Sequence, residues 1–339
     1  MNTGRYAIKR DRFQEIVSRF TEKKVLIVGD IGVDRYTIGG ATRLSPEAPV
    51  PVVAVTSVRD KLGMAANVAD NIKSFRAQPM LASIIGEDRI GNELRALLRE
   101  NKISDSSIHS HKSRNTSLKE RVIAQNQQVV RIDHEKIEPL NKETEDFFIE
   151  KIKIDIRACD GVILEDYAKG LLTERVAQTI ISECKKEKKF ISVDPPSVWR
   201  EPGVYRGVSL ITPNTNEAEK LSGVKIVDEK SLNKAGAQLL KELDIPIVVI
   251  TRGKQGMTLF TQKDPPVTVP TFARAVFDVS GAGDTVIAML TLALVSGASL
   301  EEGALLANFA AGVEVGKQGT ATVSIEELQE YMQVVGGLI

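Results

Sequence analysis

Residues 278–286 read Asp-Val-Ser-Gly-Ala-Gly-Asp-Thr-Val, and a long apolar run, Ile287 to Val295, follows at once. Glycines at 281 and 283 permit a tight turn whose backbone N–H groups converge, and the residues from Asp284 onward read as a helix. A helix N-terminus carries about half a positive charge and several unpaired donors, so this turn is built to receive an anion. Asp284 can serve there as a simple helix cap. It can also take the proton of a hydroxyl that attacks a group held by those amides. The segment Val286–Val295 is apolar on every side and must therefore be central, which fixes the donors rigidly. Rigid donors aimed at developing charge, with a carboxylate beside them, are what phosphoryl transfer to an alcohol requires. A positioned general base contributes typically ~10² to 10⁴-fold.

Such a turn needs a scaffold. Short apolar runs recur at 25–29, 80–85, 161–165, 190–194, 208–212 and 247–251, with helical patterns between most of them. Runs apolar on both faces belong to a covered parallel sheet, and the alternation predicts a doubly wound α/β fold whose ligands sit at the carboxyl ends of the strands. Those ends read Gly29-Asp30, Glu165-Asp166, Asp194-Pro195, Thr212-Pro213-Asn214 and Thr251-Arg252-Gly253. Phe13, Ile16, Val17 and Phe20 predict an amphipathic helix ahead of the first strand. Two stretches, 35–58 and 115–135, are more polar or richer in proline and predict short β segments, the second with a hairpin turn near Asn126. They are expected to form a small sheet projecting over the strand ends as a lid, inserted in a single domain over 10–339.

The composition narrows the partners. Forty-five Lys and Arg balance forty-five Asp and Glu, so no global field attracts nucleic acid or an anionic membrane. Cys159 and Cys184 show no CxxC or metal-ligand spacing and read as structural thiols. With no signal-like segment and no run of about 18 apolar residues, a soluble cytoplasmic protein is expected. His109 and His111 have no third ligand nearby and read as surface residues, and Trp199 and Tyr205 as loop anchors.

The 278–286 segment, together with GDIGVDRY at 29–36, AANVADNI at 65–72, TPNTNEAE at 212–219 and TRGKQGM at 251–257, resembles the ribokinase-like (PfkB) family of carbohydrate kinases. TRLSPEAPVPVV at 42–53, QNQQVVRID at 125–133, EDYAKG at 165–170 and VGKQGTATVS at 315–324 are similar to the heptose 7-phosphate kinases within it. The likeness runs over roughly 10–335. It implies transfer of the ATP γ-phosphoryl group to the anomeric hydroxyl of D-glycero-β-D-manno-heptose 7-phosphate, giving the 1,7-bisphosphate for lipopolysaccharide core synthesis. A chain ending at Ile339 is expected to leave any later nucleotidyl transfer to another enzyme.

The resemblance also assigns residues. Asp284 matches the catalytic base, with the backbone of Gly281, Ala282 and Gly283 as anion hole. Asn214 and Glu217 match an NxxE motif that organises the nucleotide phosphates and, through water, Mg²⁺; as bare residues they read as a helix cap and a first-turn carboxylate. Thr251, Gly253 and Gly256 match the nucleotide loop, and Asn308 a residue near the adenine. A monovalent cation, K⁺, is implied between the 278–280 backbone and 314–320. Asp34 and Asn67 match positions that bind sugar hydroxyls. A 7-phosphate calls for cations near the lid: Arg43, Lys119, Arg121 and Lys169 are the candidates, with Asp166 to orient Lys169, and Lys119 and Arg121 share one face if their segment is a strand. A homodimer formed through the lid is implied as well.

Two positions depart from the pattern. The family's pair of glycines before AAN is here Gly63-Met64, and Gly32 stands where a larger apolar residue is usual. A Met at 64 is expected to narrow the sugar pocket or shift the turn, with Gly32 opening space that Met64 fills. These changes leave two competitors, a kinase of another sugar phosphate or of a nucleoside, and a non-catalytic sensor of sugar phosphate or nucleotide. A dinucleotide-dependent dehydrogenase is excluded because the first strand leads into GDIGVD and not GxGxxG.

Overall fold

The computed structural model describes residues 6–125, 127–317 and 319–339; Asn126, where the sequence places a turn, lies outside them. Its strands in chain order are β1 (Lys24–Gly29), β2 (Ile31–Leu44), β3 (Pro51–Met64), β4 (Gln78–Gly86), β5 (Ser107–His111), β6 (Ser117–Ala124), β7 (Gln127–His134), β8 (Gly161–Glu165), β9 (Phe190–Asp194), β10 (Leu210–Ile211), β11 (Ile247–Thr251), β12 (Met257–Thr261) and β13 (Val267–Val269).

Nine strands form one sheet in the order β13-β12-β11-β10-β9-β8-β1-β4-β5. From β11 to β5 every pairing is parallel, and β12 and β13 add an antiparallel edge. Side chains of β1 alternate between two cores: Val25 and Ile27 face helices Ala65–Ser74, Ala282–Val295 and Leu300–Glu314, while Leu26 and Val28 face helices Lys142–Ala158 and Glu174–Lys186. That two-sided burial explains why the sequence shows unbroken apolar runs instead of alternation. The order reverses between β1 and β8, since the chain leaves β1 toward β4 and β5 and later steps from β8 toward β11. Ligands of open α/β sheets bind where the order reverses, which here is the end where Gly29 lies in register with Glu165.

The other four strands make a second sheet, β3-β2-β6-β7, built from the two segments that break the helical rhythm. Asp34 on β2 is flanked in register by Lys61 on β3 and Lys119 on β6.

The observed elements differ from the expected ones in three places. The 208–212 run is extended only at Leu210–Ile211, and β5 and β13 carry too little apolar pattern to stand out. The central helix begins at Ala282, so Asp284 is the third residue of its first turn; the N-cap is Gly281 at φ 95°, with no side-chain cap. Among the described residues no helix is long and apolar enough to cross a membrane.

Candidate active site

Asp284 is buried, held at the mouth of the central helix by two donors from different elements. Asn67 Nδ2 donates to its Oδ2 at 2.6 Å, and the Tyr167 hydroxyl donates to its Oδ1 at 3.1 Å. Burial raises its pKa to about 6 against the opposing effect of these donors. Burial also raises the Tyr167 phenol, reinforced by Asp284, so the tyrosine remains a proton donor.

Two further carboxylates share the pocket. Oxygens of Glu165, Asp194 and Asp284 all lie within 4.8 Å of one another, at the ends of β8 and β9 and the helix mouth. Burial, then the charge of Asp194 and of Asp284, pushes Glu165 well above the usual carboxylate range. Burial and Glu217 do the same to Asp194, despite a 2.8 Å hydrogen bond from Thr212. Glu165 Oε2 is buried with no hydrogen-bond partner. Three carboxylates this close cannot all be ionised alone; they must keep protons or share a hard cation, which oxygen ligands suit.

The helix mouth opens into a mostly apolar cavity of about 290 Å³, whose lining includes Thr251, Gly253, Gly256 and Asn308 and reaches Ala282 and Gly283. The sequence-predicted nucleotide residues are therefore brought together with the predicted anion turn. Asn308 works as a clasp, donating to Pro270 O at 3.1 Å and accepting from Phe272 N at 3.3 Å. Asn214 and Glu217 form a reciprocal capping box: Asn214 Oδ1 accepts from Glu217 N at 3.0 Å, and Glu217 Oε2 from Asn214 N at 2.8 Å. Ser197 donates to the other Glu217 oxygen at 2.6 Å. The cap leaves Glu217 buried next to Asp194 rather than pointing to solvent.

Across the pocket, the small sheet presents Asp34, Lys61, Lys119 and Arg121. Arg121 donates to Asp34 Oδ1 at 2.9 Å, and Lys61 to Thr320 O at 2.5 Å. Gly63 sits against Asp34, where a Cβ would come within 3.0 Å of the carboxylate carbon. Lys169 donates to Glu135 Oε1 at 2.5 Å, and its backbone N–H to Asp30 Oδ2 at 3.0 Å. Asp166 accepts from Ala168 N at 2.7 Å, from Tyr205 Oη at 2.6 Å and from Arg200, so it shapes the loop that carries Lys169.

Arg43 is the exception. It is exposed, nine residues along β2 from Asp34, a separation of up to about 30 Å in an extended strand. The structure does not bring it to the other candidates. His109 is not merely a surface residue: its ring packs edge-on to Phe147 at 4.8 Å, and Ser113 and Thr144 hydrogen-bond His111. Tyr205 is a buried anchor, whereas Trp199 is exposed. Gly32 does not make room for Met64. A Cβ there would lie 2.5 Å from Ser117 O, so the glycine lets β6 approach β2. Met64 itself adopts φ 60°, ψ −139°, a region suited to glycine, so a side chain stands where the backbone favours none.

Sequence reasoning did not single out Glu165, Asp194, Tyr167, Lys61 or Glu135 as site residues. The first two carried a signal, being acidic residues at the ends of buried parallel strands. Lys61 and Glu135 carried none, because only the register of the small sheet and the loop after β7 place them.

The profile of the family described as pfkB family carbohydrate kinase matches residues 23–328. The chain is 44% identical over 317 residues to the bifunctional protein HldE of Wolinella succinogenes, covering 94% of this chain and 66% of that one. It is 43% identical over 306 residues to the Helicobacter pylori (strain J99) protein of the same name, covering 90% and 65%. The chain thus spans slightly under two thirds of the length of these curated relatives. Among solved structures, Arabidopsis thaliana ribokinase complexed with ribose and ATP superposes with a TM-score of 0.73 at 18% identity, covering 92% of this chain and 99% of that one. Escherichia coli phosphofructokinase-2 in complex with potassium gives 0.73 at 19%, covering 93% and 99%. At such identities the likeness establishes a ribokinase-like fold.

Proposed function

This chain belongs to the pfkB family of carbohydrate kinases, and we propose that it transfers the γ-phosphoryl group of ATP to the anomeric hydroxyl of D-glycero-β-D-manno-heptose 7-phosphate. The observation that carries the reading is the seat of Asp284, between the mostly apolar cavity and the cationic face of the small sheet. Asp284 takes the hydroxyl proton while Asn67 and Tyr167 fix the carboxylate's orientation. The backbone N–H groups of Gly281 and Gly283 would face the migrating phosphoryl group, joined by that of Ala282 once it leaves its 3.4 Å hydrogen bond to Val279 O. Mg²⁺, when bound, neutralises phosphate charge; Glu165 and Asp194 would hold it, with Asn214 and Glu217 ordering its water ligands. The unpartnered Glu165 oxygen fits that assignment.

K⁺ would lie where 278–280 meets 314–320. Asp278 accepts there from Ser280 N at 2.9 Å and Gly319 N at 3.1 Å; Gln318 is outside the described residues. The choice of a phosphorylated acceptor rests on the similarity to the HldE proteins and on Lys119, Arg121 and Lys169 gathered at the small sheet. Val55, Val58, Val129, Val130 and Ile132, exposed on that sheet, support a homodimer formed through it.

ATP consumption against a panel of sugar phosphates, followed by phosphorus NMR of the product, tests the proposal. A new anomeric phosphate from heptose 7-phosphate is expected. Turnover only on another acceptor overturns the substrate assignment, and ligand binding without turnover overturns the activity.

A further inference from the structure

Two lysines from different elements converge on one carboxylate. Glu135, just beyond β7, accepts from Lys169 Nζ through Oε1 at 2.5 Å and from Lys119 Nζ through Oε2 at 3.4 Å. The three side chains are only 15–16% exposed. Among the described residues this is the only hydrogen bond of either ammonium, so each keeps donors to spare. Asp133 lies 3.8 Å from Lys119, but Arg131 already engages both of its oxygens, at 2.9 and 3.0 Å. The local balance is therefore two positive charges against one.

We propose that Glu135 is the resident counter-ion of the acceptor-phosphate subsite: it holds Lys119 and Lys169 together until the acceptor's phosphate monoester displaces it. The inference rests on the reading of the acceptor as a sugar phosphate. A monoester dianion bears about two negative charges and offers the same paired-oxygen geometry with more charge. It neutralises the two lysines once Glu135 turns away, whereas both anions together overfill the site. The position fits. Lys169 is two residues from Tyr167, which touches Asp284, so their Cα atoms lie within about 7 Å. Lys119 lies in register with Asp34. The subsite thus sits on the sugar side of the base, away from the nucleotide cavity. A carboxylate seated there also keeps the empty pocket from trapping small anions, and a neutral sugar cannot displace it.

The test uses inorganic phosphate as probe, titrated calorimetrically into the full chain without ATP or sugar at fixed ionic strength. Glu135→Gln is expected to bind phosphate about tenfold more tightly than the parent, the scale of one charged hydrogen-bonded competitor removed. Glu135→Asp, which keeps the carboxylate, should stay near the parent, and adding Lys169→Met to Glu135→Gln should abolish the gain. Phosphate binding in Glu135→Gln that equals or falls below the parent's overturns the proposal and makes Glu135 a strut for the lysines. Survival of the gain in the double variant overturns it too. Because no turnover is read, a chain that binds phosphate this way yet ignores heptose 7-phosphate refutes the substrate assignment and leaves the subsite standing.

Discussion

Asn67 and Asp284, 217 positions apart in the chain, meet in a 2.6 Å hydrogen bond that joins the first turns of two buried helices. Next to Asp284, Thr285 Oγ1 donates at 3.1 Å to Oδ1 of Asn71, one turn beyond Asn67, so the two helix starts are pinned twice. A carboxylate held by packed helices cannot swing away, and positioning of this kind is a large part of what an active site supplies.

Replacing Asp284 by Asn preserves that pinning. The amide oxygen can still accept from Asn67, and the amide nitrogen can donate to Tyr167, so the variant should fold and bind both ligands. It lacks a proton acceptor, and turnover should fall by ~10² to 10⁴-fold. In the parent, kcat/KM should decline as pH drops through about 6, where Asp284 takes up a proton. The variant's residual rate should lack that limb. Undiminished turnover by Asp284→Asn would remove the aspartate from the chemistry.

Buried carboxylates, Asp284 among them, tie stability to pH. Asp30 and Asp284 have folded-state pKa values raised to about 6, and Glu314 to about 8, burial being the main cause in each. The folded protein therefore holds protons that the unfolded chain has released. The stability these groups contribute is complete at about pH 4 and is lost as pH rises through 6, and for Glu314 through 8. In chelator, Tm should be higher at pH 5.5 than at pH 8, by on the order of a few degrees. Mg²⁺ should recover more of the loss at pH 8 than at pH 5.5, and Asp194→Asn should blunt the recovery. Melting curves with and without Mg²⁺ decide it; a Tm that rises between pH 5.5 and 8 in chelator contradicts the account.

Much of this was legible in the sequence because it followed from local chemistry. Gly281, Gly283 and Asp284 in front of an all-apolar helix announce an anion site, and apolar runs ending in Asp, Glu or Thr announce a parallel sheet with its ligands at one edge. What escaped depends on register and reversal. Glu165 ends a buried strand, which is a local signal, but no local pattern reveals that β8 is where the order turns back beside β1. Lys61 looks like any solvated lysine until the β2–β3 pairing sets it across from Asp34. Arg43 failed in the opposite sense: it shares β2 with Asp34, yet the length of the strand carries it away.

Asn308 lines the cavity and also holds its wall together. Both ends of its amide are spent on the backbone of Pro270 and Phe272, in the segment that walls the cavity. Asn308→Ala would orphan those groups, at a cost of about 1–3 kcal/mol. The expected signature is a lowered Tm with KM for ATP raised more than kcat is reduced. A variant with normal KM for ATP would show that the wall does not depend on the clasp.

Met64 gives a prediction that runs against the usual order of substitutions. Its backbone sits at φ 60°, ψ −139°, a region that costs a residue with a Cβ about 1–3 kcal/mol. Its side chain is nevertheless buried at the junction of β3 and the helix that carries Asn67, where packing offsets the strain. Truncation to Ala keeps the strain and discards the packing. Truncation to Gly discards both. Glycine ordinarily destabilises relative to alanine by about 0.5–1 kcal/mol in regular structure, through its greater freedom when unfolded. Here Met64→Gly should be more stable than Met64→Ala, by about 1 kcal/mol, because only glycine is at ease in that backbone conformation. Because Asn67 lies one turn away and orients Asp284, the alanine variant should also lose more turnover than the glycine variant. Denaturant titration of the pair reads the first difference and steady-state kinetics the second. Alanine at least as stable as glycine would mean that the backbone relaxes at 64 and that no strain is stored beside the base.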